Sequence, residues 1–217
     1  MNRTIKYLIN AGIPITFIII YFVGLVIYFI PLTRNLFILI TPYTLVLVTV
    51  VIFSYHKEWN IKTITVLLSI FILSIVIEII GVATGKLFGV YEYGEGLGVK
   101  IADVPVVVGL NWIFLVYASN GIISKYTSKN ILIIVGAASL MVVYDIVLEK
   151  AAPLMDLWVF SENSPPVNNY VMWFLLALLF NAALQTFKVN TTNTPARWLF
   201  FIQLIFFVII VSHYLIF

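Results

Sequence analysis

Seven long apolar stretches constrain this chain more than any other feature. They run approximately over 11–30, 35–54, 61–83, 103–124, 130–147, 169–187 and 196–217. A helix that crosses a bilayer needs about 20 predominantly apolar residues, because hydrocarbon offers the backbone no hydrogen-bond partner outside the helix itself. The composition points the same way. Charged residues make up 10% of the chain and mean hydropathy is +1.12, whereas about 25% of an ordinary soluble chain is charged. The expected fold class is therefore an all-α integral membrane protein with about seven transmembrane helices, residues 1–217 forming a single polytopic domain. The first stretch follows Arg3 and Lys6, as the core of a signal peptide would. It is too long for one and no small-x-small cleavage site follows, so it is expected to stay as an uncleaved span.

The positive-inside rule orients the spans. Arg3, Lys6, Lys57, Lys62, Lys125, Lys129, Lys188 and Arg197 fall on one side, against Arg34, Lys86, Lys100 and Lys150 on the other. The richer side should be cytoplasmic, which puts the N-terminus inside and the C-terminus outside, in a multi-pass cell-membrane protein. Basic residues scattered singly in this way form no clustered face for nucleic acid. With no cysteine, thiolate metal sites, disulfides and cysteine nucleophiles are excluded. His56 and His213 fall at opposite faces, and no His/carboxylate cluster stands at ligand spacing, so no metal is expected. Gly94, Gly96 and Gly98 follow no strand and open no helix, which argues against a dinucleotide loop. No cofactor is called for.

Ionisable residues inside spans are costly in hydrocarbon and usually mark a functional cavity. Glu78 in the third span and Asp145 in the fifth stand out, both near the outer ends of their helices. They adjoin two long outer loops, 84–102 and 148–168, rich in aromatic and glycine residues. A shared site near the outer leaflet is the functional reading; a pair of structural buried carboxyls is the bland one. Glu149 follows Asp145 by four residues and shares its helix face if the helix continues that far. Such a pair keeps one carboxyl protonated as an acid, unless Glu149 is a solvated loop residue. Asp103, two residues before Pro105, is expected to cap the fourth helix, and Asn168 or Asn169 the sixth. Asn111, Asn181 and Gln203 read as interhelical hydrogen-bond partners. His213 is a weaker candidate base. Gly81, Gly85 and Gly89 repeat every fourth residue, a pattern of close helix packing.

The outer side also gathers Phe88, Tyr91, Tyr93, Trp112, Tyr144, Trp158, Phe160, Tyr170, Trp173 and Tyr214. Some of these belong to the interfacial belt of any membrane protein. Their excess over the inner side suggests more, since aromatic faces around a carboxylic acid suit a cationic intermediate.

The segment from Glu78 through Thr84-Gly85, Phe88-Gly89-Val90-Tyr91-Glu92-Tyr93 and Leu97-Gly98, followed by Val104-Pro105 and Asn111-Trp112, resembles the carotenoid biosynthesis membrane family that includes the carotenoid 1,2-hydratases. Asp145, Glu149, Trp158 and Asn169-Tyr170-Val171-Met172-Trp173 extend the likeness, which covers about 74–180. In place of the family's Glu-Pro-Val-Ala this chain has Glu149-Lys150-Ala151-Ala152. The resemblance implies a hydratase that adds water across the C1–C2 double bond of an acyclic carotenoid end, with the bilayer and a hydrophobic isoprenoid as partners. It makes Glu78, Asp145 and Glu149 the catalytic carboxyls, with the choice of acid and base between Glu78 and Asp145 open. Tyr91, Tyr93, Trp112, Trp158, Asn169, Tyr170 and Trp173 would line the substrate. The alternatives are a carotenoid end-group cyclase using the same acid and aromatic cage, or a seven-helix lipid- or carotenoid-binding protein or transporter. A retinal photoreceptor is excluded, because the last span lacks a lysine for a Schiff base.

Overall fold

The computed structural model describes residues 3–216, with side chains from residue 12 onward, so the side chains of Arg3 and Lys6 lie outside the described residues. Seven α-helices follow the seven apolar stretches. They are α1 (Arg3–Phe29), α2 (Arg34–Ser54), α3 (Ile61–Thr84), α4 (Val107–Ile123), α5 (Asn130–Ala151), α6 (Val167–Thr186) and α7 (Thr194–Ile216). All but α4 are long and apolar enough to cross a membrane. The surface they expose is itself apolar: Phe22, Leu39 and Val50 all stand open, which water would not tolerate over so wide an area and lipid does.

Helix α4 is the axis of the bundle. It packs against α2, α3, α5, α6 and α7, and nearly every side chain from Val107 to Ile122 is buried. It is enclosed by protein rather than by lipid. Helix α1 lies at the periphery against α2 and α7.

Two loop-to-loop ties show which helix ends share a face. On one face, Arg34 Nη2 donates to the Leu154 carbonyl at 2.9 Å and Tyr28 Oη to the same oxygen at 2.9 Å. On the other, Asn190 Nδ2 donates to Glu58 at 2.8 Å and Asn193 Nδ2 to the Ile52 carbonyl at 2.7 Å. This is the alternating up-and-down path expected of the chain.

The long loops 84–102 and 148–168 are ordered rather than loose. Strand β1 (Tyr91–Tyr93) pairs antiparallel with β4 (Trp158–Phe160), and β2 (Lys100–Ile101) with β3 (Val104–Pro105). The second hairpin corrects the expectation for Asp103. Ala102 and Asp103 are the two turn residues, with φ of 48° and 65°, the left-handed pair that a tight two-residue hairpin requires. An N-cap needs extended backbone, so Asp103 does not cap α4, which opens four residues later at Val107.

The glycine repeat is corrected too. Gly85, at φ 64°, ends α3, its N–H closing on the Gly81 carbonyl at 2.8 Å. A Cβ on Gly81 would stand 2.6 Å from the Phe88 ring, and one on Gly89 2.6 Å from Pro166. These glycines admit the aromatic loop and the start of α6; they do not seat one helix on another.

Candidate functional site

Helices α3 and α5 bring Glu78, Asp145 and Glu149 to one level beneath the paired loops. All three are buried, with 4%, 0% and 6% of their surface exposed. Because α5 continues to Ala151, Glu149 is a helical residue one turn beyond Asp145, and its reading as a solvated loop residue is overturned.

Glu78 is surrounded by donors from the loop and from α4. Tyr91 Oη donates to Oε2 at 2.5 Å, Tyr93 Oη to the same atom at 2.9 Å, and Trp112 Nε1 to Oε1 at 3.3 Å. The tyrosines come from one face of β1, where residues two apart point the same way. Burial, and after it the field of Glu78, push both phenols far above their ordinary range, so both remain protonated donors.

Glu149 has a separate set. Trp158 Nε1, from β4, donates to Oε2 at 2.8 Å. Asn169 Nδ2, in the first turn of α6, donates to Glu149 Oε1 at 2.9 Å and to Asp145 Oδ2 at 3.2 Å. One amide thus uses both N–H bonds to span the carboxyl pair. Asp145 Oδ1 is buried without a hydrogen-bond partner among the described residues. Asn168 reaches the other way and donates to the Lys86 and Leu87 carbonyls at 3.0 and 2.6 Å. Neither asparagine caps α6, whose N-cap is Pro166; they use their amides to tie the helix to the site and to the loop.

Glu78 and Glu149 face a cavity of about 50 Å³, walled by Tyr91, Tyr93, Trp112, Trp158, Asn169 and Trp173 among others. Trp112 and Trp173 stack with centroids 4.3 Å apart. Asp145 and Tyr170 are not among the lining residues; Asp145 lies behind Glu149, joined to it through Asn169. The remaining wall includes Phe88 and Phe160, which the sequence placed among the aromatics of this side without assigning them to the lining, and Leu97 and Gln203, which it did not place at the site. A polar residue in the middle of the last span was a usable signal for Gln203; nothing in the sequence distinguished Leu97 from any other loop leucine. Asn111, expected as an interhelical bridge, also lines the cavity. Asn181 is such a bridge, accepting from Asn120 Nδ2 at 2.9 Å.

The histidines lie elsewhere. His56 contacts Tyr117 Oη at 2.8 Å on the opposite face. His213 is exposed at the end of α7, its ring 4.5 Å from that of Phe29, outside the cavity wall.

A bundle of apolar helices enclosing hydrogen-bonded carboxyls beneath an aromatic loop cover defines a multi-pass integral membrane protein with a polar pocket set in apolar surroundings. The chain belongs to the carotenoid biosynthesis protein family, whose profile matches residues 36–217 and so spans α2 to α7 with the whole site. This is a carotenoid-related membrane protein. Neither a curated protein nor a solved structure matches the chain.

Proposed function

We propose that the protein is a hydratase adding water across the C1–C2 double bond of an acyclic carotenoid end group. The observation that carries the reading is the division of labour around one cavity: two buried glutamates face it, each oriented by its own donors. Acid–base addition needs one group to give a proton and another to take one, both within reach of the reacting bond.

Glu149 is the proton donor in this reading. It is paired with Asp145 through Asn169, and two carboxyls so close hold a proton between them more readily than two charges. Glu149 transfers the proton to C2 as the π bond breaks, leaving a tertiary cation at C1. The faces of the surrounding indole and phenol rings stabilise that charge. A water molecule then bonds to C1 and loses a proton to Glu78, whose three donors support its carboxylate form. Return of that proton to Glu149 through solvent restores the site. The cavity suits this chemistry in size, since about 50 Å³ holds a few waters.

The test is expression in cells that accumulate lycopene, followed by mass analysis of the pigment. A product heavier by one water, absent with Glu78→Gln and Glu149→Gln, is the expected result. An unchanged mass with altered retention identifies a cyclase instead, and unaltered pigment beside well-expressed protein overturns the reading.

A further inference from the structure

A second cavity adjoins the first. It is a groove of about 370 Å³ between α1, α2 and α7, and its walls are overwhelmingly apolar. The two share Leu45, Leu97, Leu157, Gln203 and Phe207, so these five side chains stand at the boundary between them. On the outer side the groove is rimmed by Ile19, Val23 and Leu47, all exposed on the lipid-facing surface.

The difference in size matters. Small-molecule sites begin at about 300 Å³. The carboxylate chamber falls far below that, while the groove reaches it. An isoprenoid chain therefore has no room beside Glu78 and Glu149 except at its tip. Another apolar cavity, of about 310 Å³ between α3 and α6, shares no lining residue with the chamber, whereas the groove adjoins it.

We infer that the α1–α2–α7 groove is the binding channel for the linear hydrocarbon chain of the substrate, which arrives sideways from the bilayer and presents its end group to the carboxylates past Gln203. This rests on the isoprenoid substrate of the proposed function. Two features of the groove fit it. Gly24 faces the space from α1, where a Cβ would meet nothing closer than Phe206 at 3.6 Å; the missing side chain leaves width for a chain. Gln203 Oε1 is buried and has no hydrogen-bond partner among the described residues. A hydroxyl formed at the end of the chain is the donor that this acceptor lacks.

The test fills the groove from opposite walls and measures binding apart from chemistry. Gly24→Phe on α1 and Thr44→Phe on α2 both point bulk into it; Val50→Phe, on the lipid-exposed face of α2, is the control. Each detergent-purified variant is incubated with lycopene, and bound polyene per protein is read by absorbance after size exclusion. The channel predicts at least a tenfold loss of bound polyene in both groove variants, with Val50→Phe and Glu149→Gln binding as wild type does. Equal binding in folded Gly24→Phe or Thr44→Phe overturns it, as does a wild type that retains no polyene. Product analysis on the same samples separates the two ideas. Groove-dependent binding without any hydrated product leaves the channel standing and removes the hydratase reading.

Discussion

Tyr93 and Trp158 stand opposite each other across the β1–β4 pair, ring centroids 6.0 Å apart, yet they donate to different carboxylates, Tyr93 to Glu78 and Trp158 to Glu149. A single cross-strand pair therefore reaches both acids. The strands are three residues long. Their registration comes from the loops around them as much as from their own ladder.

Removing one of these donors should damage activity more than folding. Tyr93→Phe leaves Glu78 two donors. A hydrogen bond to a charged group contributes roughly 1.5–3 kcal/mol, so turnover should fall about tenfold to a hundredfold. Steady-state rates on reconstituted protein check this, and an unchanged rate would show that Tyr93 does not orient Glu78 for chemistry.

Glu149 and Asp145 should differ when neutralised separately. Glu149→Gln removes the cavity-facing proton donor, and the rate should drop by about 10²–10⁴-fold, the usual worth of a general acid. Asp145→Asn acts from behind, through Asn169. Its expected signature is a smaller loss together with a displaced pH profile. Identical profiles for Asp145→Asn and wild type would reduce Asp145 to packing.

Asn169→Leu should unfold more readily than either carboxyl variant. Leucine preserves bulk but withdraws the amide that serves both carboxyls. Two buried acceptors losing a donor cost about 1–3 kcal/mol each. A thermal-unfolding midpoint in detergent equal to that of wild type would contradict this.

Gly94 tests the closure of the loops. Its N–H donates to the Leu157 carbonyl at 2.9 Å, and a Cβ there would collide with the Asp156 carbonyl. Gly94→Ala should therefore part the two paired loops, at a cost of about 1–3 kcal/mol as for other overpacking changes. Faster proteolysis within the loops 84–102 and 148–168 is the observable.

His56 gives the fold a pH dependence on the far face. Burial lowers its pKa below the ordinary 6.5, and Nε2 is buried with no hydrogen-bond partner among the described residues. The unfolded chain therefore takes up a proton at a pH where the folded protein does not. Stability is complete above about 6.5 and falls as pH drops below it. Melting temperatures between pH 7.5 and 5 should decline in wild type, and His56→Gln should flatten that slope.

The helices were legible because the bilayer imposes a requirement that composition alone reports. Each observed helix lies on its apolar stretch; α1 begins earlier, at Arg3, than its apolar run, and the late start of α4 came from a turn whose left-handed backbone at Ala102 and Asp103 no hydrophobic count registers. The carboxyls were legible for the same reason: charge inside a span is costly and conspicuous. Glu149 was ambiguous because its status depended on where α5 stopped, a matter of one helical turn.

What the sequence by itself determined, then, is the number of apolar helices, their alternation and the presence of costly acids near one face. The tertiary structure decided which acids meet the cavity, and it put Glu149 there with Asp145 behind. It also decided that Asn169 bridges them, and that Gln203 and Leu97 join a wall with Trp112 and Trp158. The physical reason is range. Burial and helix formation follow from each segment's own transfer free energy, whereas a shared amide or a cavity wall depends on the angles between segments far apart in the chain, which no local pattern carries.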